Sequence, residues 1–167
     1  MNFELLEYLR CPKSKRKLKI QKGDIVDGYI NDGLLSTENG EYDYPIINGI
    51  PRFVPKSTYA DNFGMQWNQF SKTQLDSHSG HDISSNRFWK TTGWQPADLK
   101  DKLVLDVGCG AGRFAEIALN AGAYVVALDY STAVDACYNN LKNHKKLSII
   151  QGDIYNLPFP AEKFDYV

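Results

Sequence analysis

The chain has 167 residues, 43% hydrophobic and 23% charged, and its 19 Lys and Arg against 20 Asp and Glu leave a net charge of −1. Such a balance fits a globular chain with a core and gives no general attraction to nucleic acid or a membrane surface. No apolar run approaches the ~20 residues of a membrane helix, and the acidic start Met-Asn-Phe-Glu-Leu-Leu-Glu is unlike a secretory signal. The cysteines, Cys11, Cys109 and Cys137, are odd in number and far apart. They predict a reducing, cytoplasmic setting without a disulfide framework.

Residues 1–55 read as a small β-rich module. Residues 3–10 predict a short amphipathic helix that packs Phe3, Leu5, Leu6 and Leu9. Short β-like pieces follow at 18–21, 25–30 and 34–36, separated by Gly23, Gly28, Gly33 and Gly40. The unit closes on Tyr44-Pro-Ile-Ile-Asn-Gly-Ile-Pro-Arg-Phe-Val54. It also carries a basic cluster of Arg10, Lys13, Lys15, Arg16, Lys17 and Lys19. With no aromatic residue interleaved, that run reads more readily as a solvated face than as a nucleic-acid contact.

Residues 56–97 are rich in aromatic and polar residues, with Tyr59, Phe63, Trp67, Phe70, Phe88, Trp89 and Trp94. They predict amphipathic helices forming a leader or lid, in which Gln66, Trp67 and Arg87 are candidates for cofactor or substrate contact. His78 and His81 lie three apart in a loop without a third fixed ligand, so no metal site is assigned.

Residues 98–167 carry the most informative motif. Leu103-Val-Leu-Asp106-Val runs as an apolar strand into Gly108, Cys109, Gly110 and Gly112, and a helix is predicted over 113–120. A strand, a glycine turn and a helix N-terminus make a nucleotide-type site. A carboxylate at Asp106 repels a pyrophosphate but attracts an ammonium or sulfonium, which favours S-adenosylmethionine over NAD. Only the weaker G-x-G-x-x-A spacing survives, from Gly110 to Ala115. A second strand ends at Asp129, 19 residues beyond Gly110, where a carboxylate can accept from a ribose, with Tyr130 beside it. A third ends near Asp153. Three successive strands ending in acids predict one crevice at the rim of an open parallel sheet.

These pieces resemble the first half of a class I S-adenosylmethionine-dependent methyltransferase: Asp-Val-Gly-Cys-Gly-Ala-Gly (106–112), Ala-Leu-Asp-Tyr-Ser (127–131), Gln-Gly-Asp-Ile (151–154), and Leu-Pro-Phe (157–159) before Phe-Asp-Tyr-Val (164–167). The resemblance implies an α/β, Rossmann-like parallel sheet with S-adenosyl-L-methionine as cofactor. It also implies that Asp106 and the glycine loop hold the methionine end and Asp129 the ribose. Asp153 would meet the adenine amino group, with the Ile154 N–H on the ring. The plainer reading of Asp129 and Asp153 is that they cap the next helix or turn. Cys109 reads as a small loop filler, because methyl transfer needs no covalent relay.

The segment around residues 63–70 and 84–88 resembles the leader helices of many methyltransferases. Leu-Leu-Glu-Tyr-Leu-Arg-Cys-Pro and Tyr-Pro-Ile-Ile-Asn-Gly-Ile-Pro resemble zinc-ribbon-like proteins that activate methyltransferases. Zinc there needs two C-x-x-C pairs. Cys11 is followed by Ser14, and the second pair falls on Thr37 and Gly40, or Ser36 and Asn39, so a metal-free module is expected. The resemblance makes residues 164–167 part of strand four of a seven-stranded sheet. The expectation is therefore a domain incomplete after strand four, inclined to self-associate through that edge. The rival functions are a non-catalytic cofactor-binding or regulatory fragment and an NAD-dependent oxidoreductase. The acceptor and general base are not readable.

Overall fold

The computed structural model describes residues 1–55 and 61–167, apart from the side chains of residues 61–63. Tyr59, the rest of 56–60 and the Phe63 side chain, all part of the expected leader, lie outside the described residues. The elements run α1 (Phe3–Tyr8), β1 (Leu18–Val26), β2 (Tyr29–Thr37), β3 (Asp43–Ile47), β4 (Ile50–Pro51), α2 (Asp61–Gln69), α3 (Asp76–Ser79) and α4 (Ile83–Thr92). They continue with α5 (Pro96–Leu99), β5 (Leu103–Val107), α6 (Arg113–Asn120), β6 (Tyr124–Asp129), α7 (Ala133–Leu141) and β7 (Leu147–Gln151). The fold is α/β, with a parallel Rossmann-like sheet β5-β6-β7 and an antiparallel N-terminal sheet β1-β2-β3-β4.

Strand alternation sorts the parallel sheet onto two cores. Val104, Val125, Ala127 and Ile149 pack with Phe88, Leu99, Ala115, Ala118, Val134 and Leu141 from the helices. Their neighbours Leu105, Val126, Leu128 and Ile150 face the other way, onto Leu5, Leu9, Leu35, Ile46 and Phe159. A parallel strand buried on both faces needs an unbroken apolar run, which is why β5 and β6 read Leu-Val-Leu and Val-Val-Ala-Leu. The N-terminal module therefore covers the sheet face that α6 and α7 leave open. Each large side chain buried there contributes about 1.5–3 kcal/mol.

Both edges of the parallel sheet have partners. On the β5 side, Asp165 donates its N–H to Leu103 at 2.9 Å and Leu105 donates to Tyr166 at 3.0 Å. A parallel bridge joins Val104 to Tyr166, so the segment at 165–166 lies beside β5. On the β7 side, Arg52 forms a parallel bridge with Gln151, and the Phe53 N–H donates to the Gln151 carbonyl at 2.8 Å. The module thus pairs with backbone groups that an edge strand would leave open.

Two local expectations need correction. Residues 25–30 are not one strand: Asp27 and Gly28 have φ of 51° and 80° and turn the chain between β1 and β2. Positive φ at both central positions of a two-residue hairpin loop is what Asp-Gly supplies. The N-terminal helix stops at Tyr8 instead of Arg10, and Phe3 is exposed. Leu5 and Leu9, the residue that closes α1, lie one turn apart on the buried side, whereas Phe3, two residues before Leu5, points to the opposite side. Arg10 has left the helix and bridges Lys17.

Asn48 and Gly49 make a second positive-φ turn, at 52° and 76°. Gly49 is required twice over, since a Cβ there would stand 2.8 Å from the Met1 nitrogen. That nitrogen donates to the Ile30 carbonyl at 2.6 Å. The buried Cys11 thiol lies 3.2 Å from the Tyr44 hydroxyl and accepts from the Ser14 N–H at 3.4 Å. Among the described residues no three His, Cys, Asp or Glu side chains converge as metal ligands. Part of the basic cluster is engaged: Lys15 Nζ donates to the Leu157 carbonyl at 2.9 Å, Arg10 Nη1 to the Leu9 carbonyl at 2.7 Å, and Lys13 sits over the Tyr42 ring. No helix among the described residues is long and apolar enough to cross a membrane.

Candidate functional site

The parallel strands open onto one rim, where the chain turns after β5, β6 and β7. Directly after β5 the loop 108–112 takes positive φ at Gly108 (76°), Gly110 (52°) and Gly112 (98°). The N–H groups of Gly108 and Cys109 donate to the Leu128 carbonyl at 2.8 and 3.1 Å, holding the loop against β6. At Gly112 a Cβ would stand 2.6 Å from Leu141 Cδ1 and 3.1 Å from Cys137 Sγ. Only glycine lets α6 start so close to α7.

Asp129, the last residue of β6, reaches back to this loop. Its Oδ2 accepts the Gly110 N–H at 2.9 Å, and its Oδ1 accepts the Ser131 N–H and hydroxyl at 2.8 and 2.7 Å. Asp153 lies two residues past β7 and caps a 3₁₀ turn at Ile154–Asn156, accepting from the Tyr155 N–H at 2.9 Å. Both acids therefore make the local bonds of a cap. Asp129 also fixes the position of the glycine loop.

Asp106 differs from both. Its carboxyl accepts from the Ala115 backbone N–H, yet its buried Oδ2 has no hydrogen-bond partner. Burial, opposed by that N–H and reinforced by the charge of Asp129, pushes its carboxyl up to about 6. It lines a cavity of about 130 Å³ with Trp67, Gln74, Leu75, Gly110 and Arg113. It also lines a second hollow of about 290 Å³ with Arg87, Phe88, Trp94, Phe114 and Val167.

The first cavity is roofed by α2, which docks through small contacts. The Asn68 amide donates to the carbonyls of Gly64 at 2.8 Å and Thr132 at 3.0 Å. After α2, Asn140 of α7 donates to the carbonyls of Ser71 at 2.8 Å and Ala111 at 2.9 Å. Trp67 then lies over the loop, its ring 3.6 Å from where a Gly110 Cβ would be. Arg113 is held at the cavity wall by its Nε–H bond to the Ser84 hydroxyl, 2.9 Å. Burial works to raise the Asp76 carboxyl, but the N–H groups of Ser84 and Ser85 at the start of α4 outweigh it and lower its pKa.

The structure brings Asp106, Gly108, Cys109, Gly110 and Trp67 to one cavity, with Asp129 bonded to its loop. Gly112 lies behind the loop as the N-cap of α6. Cys109 is buried; its hydrogen bond with Cys137 and the burial itself raise its thiol pKa. Arg87 is exposed and stands at the second hollow, while Gln66 is exposed and lines neither. Tyr130 is half-buried, and its carbonyl accepts from Gln151 Nε2 at 3.0 Å. Ile154 projects from the rim, 56% exposed. Sequence reading missed Gln74, Arg113, Asn68 and Asn140. Isolated Asn, Gln and Arg residues carry no periodic signal, and only their docking across helices reveals them.

An unpartnered acid beside three positive-φ glycines, at the end of a buried parallel strand, is the decisive feature. Residues 105–167 match the methyltransferase domain family. The matched domain starts within β5 and takes in the glycine loop, Asp129, Asp153 and the segment beside β5. It leaves the first 104 residues outside, so the likeness of residues 1–55 to zinc-ribbon-like activators rests on their end motifs alone. Protein arginine N-methyltransferase 1 of Chlamydomonas reinhardtii is 33% identical over 73 residues, covering 41% of this chain and 21% of that protein. Sterol 24-C-methyltransferase of Pneumocystis carinii is 41% identical over 69 residues, covering 38% and 18%. The matches thus span about a fifth of these relatives' lengths. Among solved structures, protein arginine methyltransferase 10 of Arabidopsis thaliana is 20% identical, covers 58% of this chain and 28% of that one, and has a TM-score of 0.44.

Proposed function

We propose that this chain binds S-adenosylmethionine in the crevice between the glycine loop and α2, as part of an enzyme that transfers its methyl group to an acceptor. The observation that carries this reading is the Asp106 carboxylate, buried at the loop with one oxygen unpartnered. A buried unpaired acceptor is costly, and a ligand cation relieves it. A pyrophosphate would meet repulsion at the same place. The family match over residues 105–167 supports the same assignment.

The residues present fit the group. Asp106 would take the ammonium of the methionine end, and the glycine loop leaves room for close backbone approach. Asp129 commits both lone pairs of Oδ1 to Ser131 and one of Oδ2 to Gly110, and would accept from a ribose hydroxyl with the one that remains on Oδ2. Asp153 and the Ile154 N–H would lie toward the adenine. When bound, the sulfonium supplies an activated methyl group and a good leaving group. The chain's own contribution is then binding, orientation and exclusion of water beneath Trp67, worth up to ~7–11 kcal/mol in well-aligned systems.

The test is a calorimetric titration of the folded chain with S-adenosylhomocysteine, with NADH as the rival ligand. Saturable S-adenosylhomocysteine binding that Asp106→Ala abolishes is expected. NADH binding in its place would overturn the reading. Binding without methyl transfer to any acceptor by the intact protein would leave a regulatory cofactor-binding role instead.

A further inference from the structure

Arg52 comes from the N-terminal module, yet its guanidinium ends at the rim of the parallel sheet. It is buried, at 8% exposure. Nη2 donates to Asp135 Oδ1 at 2.6 Å, in the first turn of α7. Nη1 donates to Gln151 Oε1 at 3.1 Å, at the end of β7. The other half of the Gln151 amide then donates from Nε2 to the Tyr130 carbonyl at 3.0 Å. The backbone runs the same way, with the Phe53 N–H on the Gln151 carbonyl and the Gly152 N–H on the Asp129 carbonyl at 2.9 Å.

The orientation of the Gln151 amide decides what this chain of bonds can do. An amide has one acceptor end and one donor end. A guanidinium donates only, so Arg52 compels Oε1 to face it and Nε2 to face Tyr130. Without Arg52 the amide is free to flip, and a flipped Oε1 would repel the Tyr130 carbonyl. Tyr130 sits between Asp129 and Ser131, the pair whose hydrogen bonds set the Asp129 carboxylate against Gly110. One buried arginine thus fixes β7, the start of α7 and the β6–α7 turn at once.

We propose that Arg52 is a positioning residue for the adenosine side of the cofactor site. Acting through Gln151 on Tyr130 and Asp129, it makes its own bonds from the docked module, as distinct from the packing of the module core, a condition for tight cofactor binding. This rests on the S-adenosylmethionine reading above, and it goes beyond it by giving the module a defined lever on the site. Asp135 is the anchor of the device: it pairs with the buried guanidinium, which would otherwise be an uncompensated buried charge.

The experiment measures S-adenosylhomocysteine and adenosine affinity by calorimetry on the full chain, for the native protein, Arg52→Met, Gln151→Ala, the double variant and Leu35→Ala. Leu35 is fully buried in the module core and makes none of these bonds, so its variant controls for loss of stability alone. Arg52→Met and Gln151→Ala are expected to weaken both ligands by about tenfold, the scale of one lost charge-assisted bond. The double variant should lose no more than either single one. Leu35→Ala should lower the thermal midpoint and leave affinity unchanged. Should Arg52→Met fail to fold, Gln151→Ala, which keeps the Arg52–Asp135 ion pair, carries the same expectation. Unchanged affinity in folded Gln151→Ala, additive losses, or an equal loss in Leu35→Ala would overturn the proposal. A folded native chain that binds neither ligand would instead sink the cofactor reading beneath it.

Discussion

Gly64 of α2 lies against Thr132, so that a Cβ on Gly64 would stand 2.9 Å from the Thr132 backbone nitrogen and 3.1 Å from its Cβ. This contact seats the helix that carries Trp67 over the glycine loop. Gly64→Ala is expected to lift α2 from the start of α7 while the remaining core stays folded. Trp67 would become more exposed, read as a red shift in tryptophan emission, and S-adenosylhomocysteine affinity would fall several-fold. An unchanged spectrum and affinity would show that α2 does not roof the site.

Asp106 sets stability against binding. Its carboxyl titrates near 6 in the folded chain, against about 3.9 when unfolded. The folded state therefore holds its proton more tightly, and the chain loses stability as pH rises from about 4 to about 6, with the penalty complete above that range. Asp106→Asn removes the buried charge and should stabilise the unliganded chain at pH 7.5 by on the order of 1–3 kcal/mol. Below pH 4 the two should be nearly equal. Thermal midpoints across pH 4–8 check the sign.

The same group predicts the pH dependence of ligand affinity. A ligand ammonium needs Asp106 ionised, and with a folded value of about 6 only about a tenth is ionised at pH 5. S-adenosylhomocysteine should therefore bind about tenfold more weakly at pH 5 than at pH 7. In Asp106→Asn the affinity should be low and flat over this range. Calorimetry at the two pH values separates these outcomes.

Asp129→Asn tests whether the loop depends on two acceptors. The native carboxylate accepts from Gly110 and Ser131 on different oxygens. An amide keeps one acceptor and turns a donor toward the other N–H. The loop should loosen, costing about 1–2 kcal/mol of stability, and S-adenosylhomocysteine binding should fall at least about tenfold. Retained affinity would assign Asp129 to capping alone.

Gly112→Ala combines a left-handed backbone with a clash. At φ of 98° and 2.6 Å from Leu141 Cδ1, a methyl group should destabilise the chain by about 2–4 kcal/mol. Gly80→Ala offers the comparison, since its φ is 71° but nothing lies within 4 Å of the added Cβ. It should cost about 1 kcal/mol. Chemical denaturation of both variants gives the difference that packing alone contributes.

Much of the crevice was legible from residue order because local physics determines it. The run Leu-Val-Leu-Asp-Val before three glycines can only be a buried strand entering a tight turn, and helix 113–120 follows at the predicted bounds. The Asp-Gly pair at residues 27–28 is itself a hairpin signal, but the apolar residues on either side make 25–30 read as one strand, which the structure divides. Tertiary structure decided what local patterns do not encode. Unbroken apolar runs say that β5 and β6 are buried on both faces, but not that the N-terminal module supplies one of those faces. Nothing near Arg52 in the chain announces Asp135 or Gln151, 83 and 99 residues away. Their meeting depends on the module pairing with the β7 edge. Likewise, the orphaned oxygen of Asp106 exists only once burial has removed water from it, and burial belongs to the whole fold.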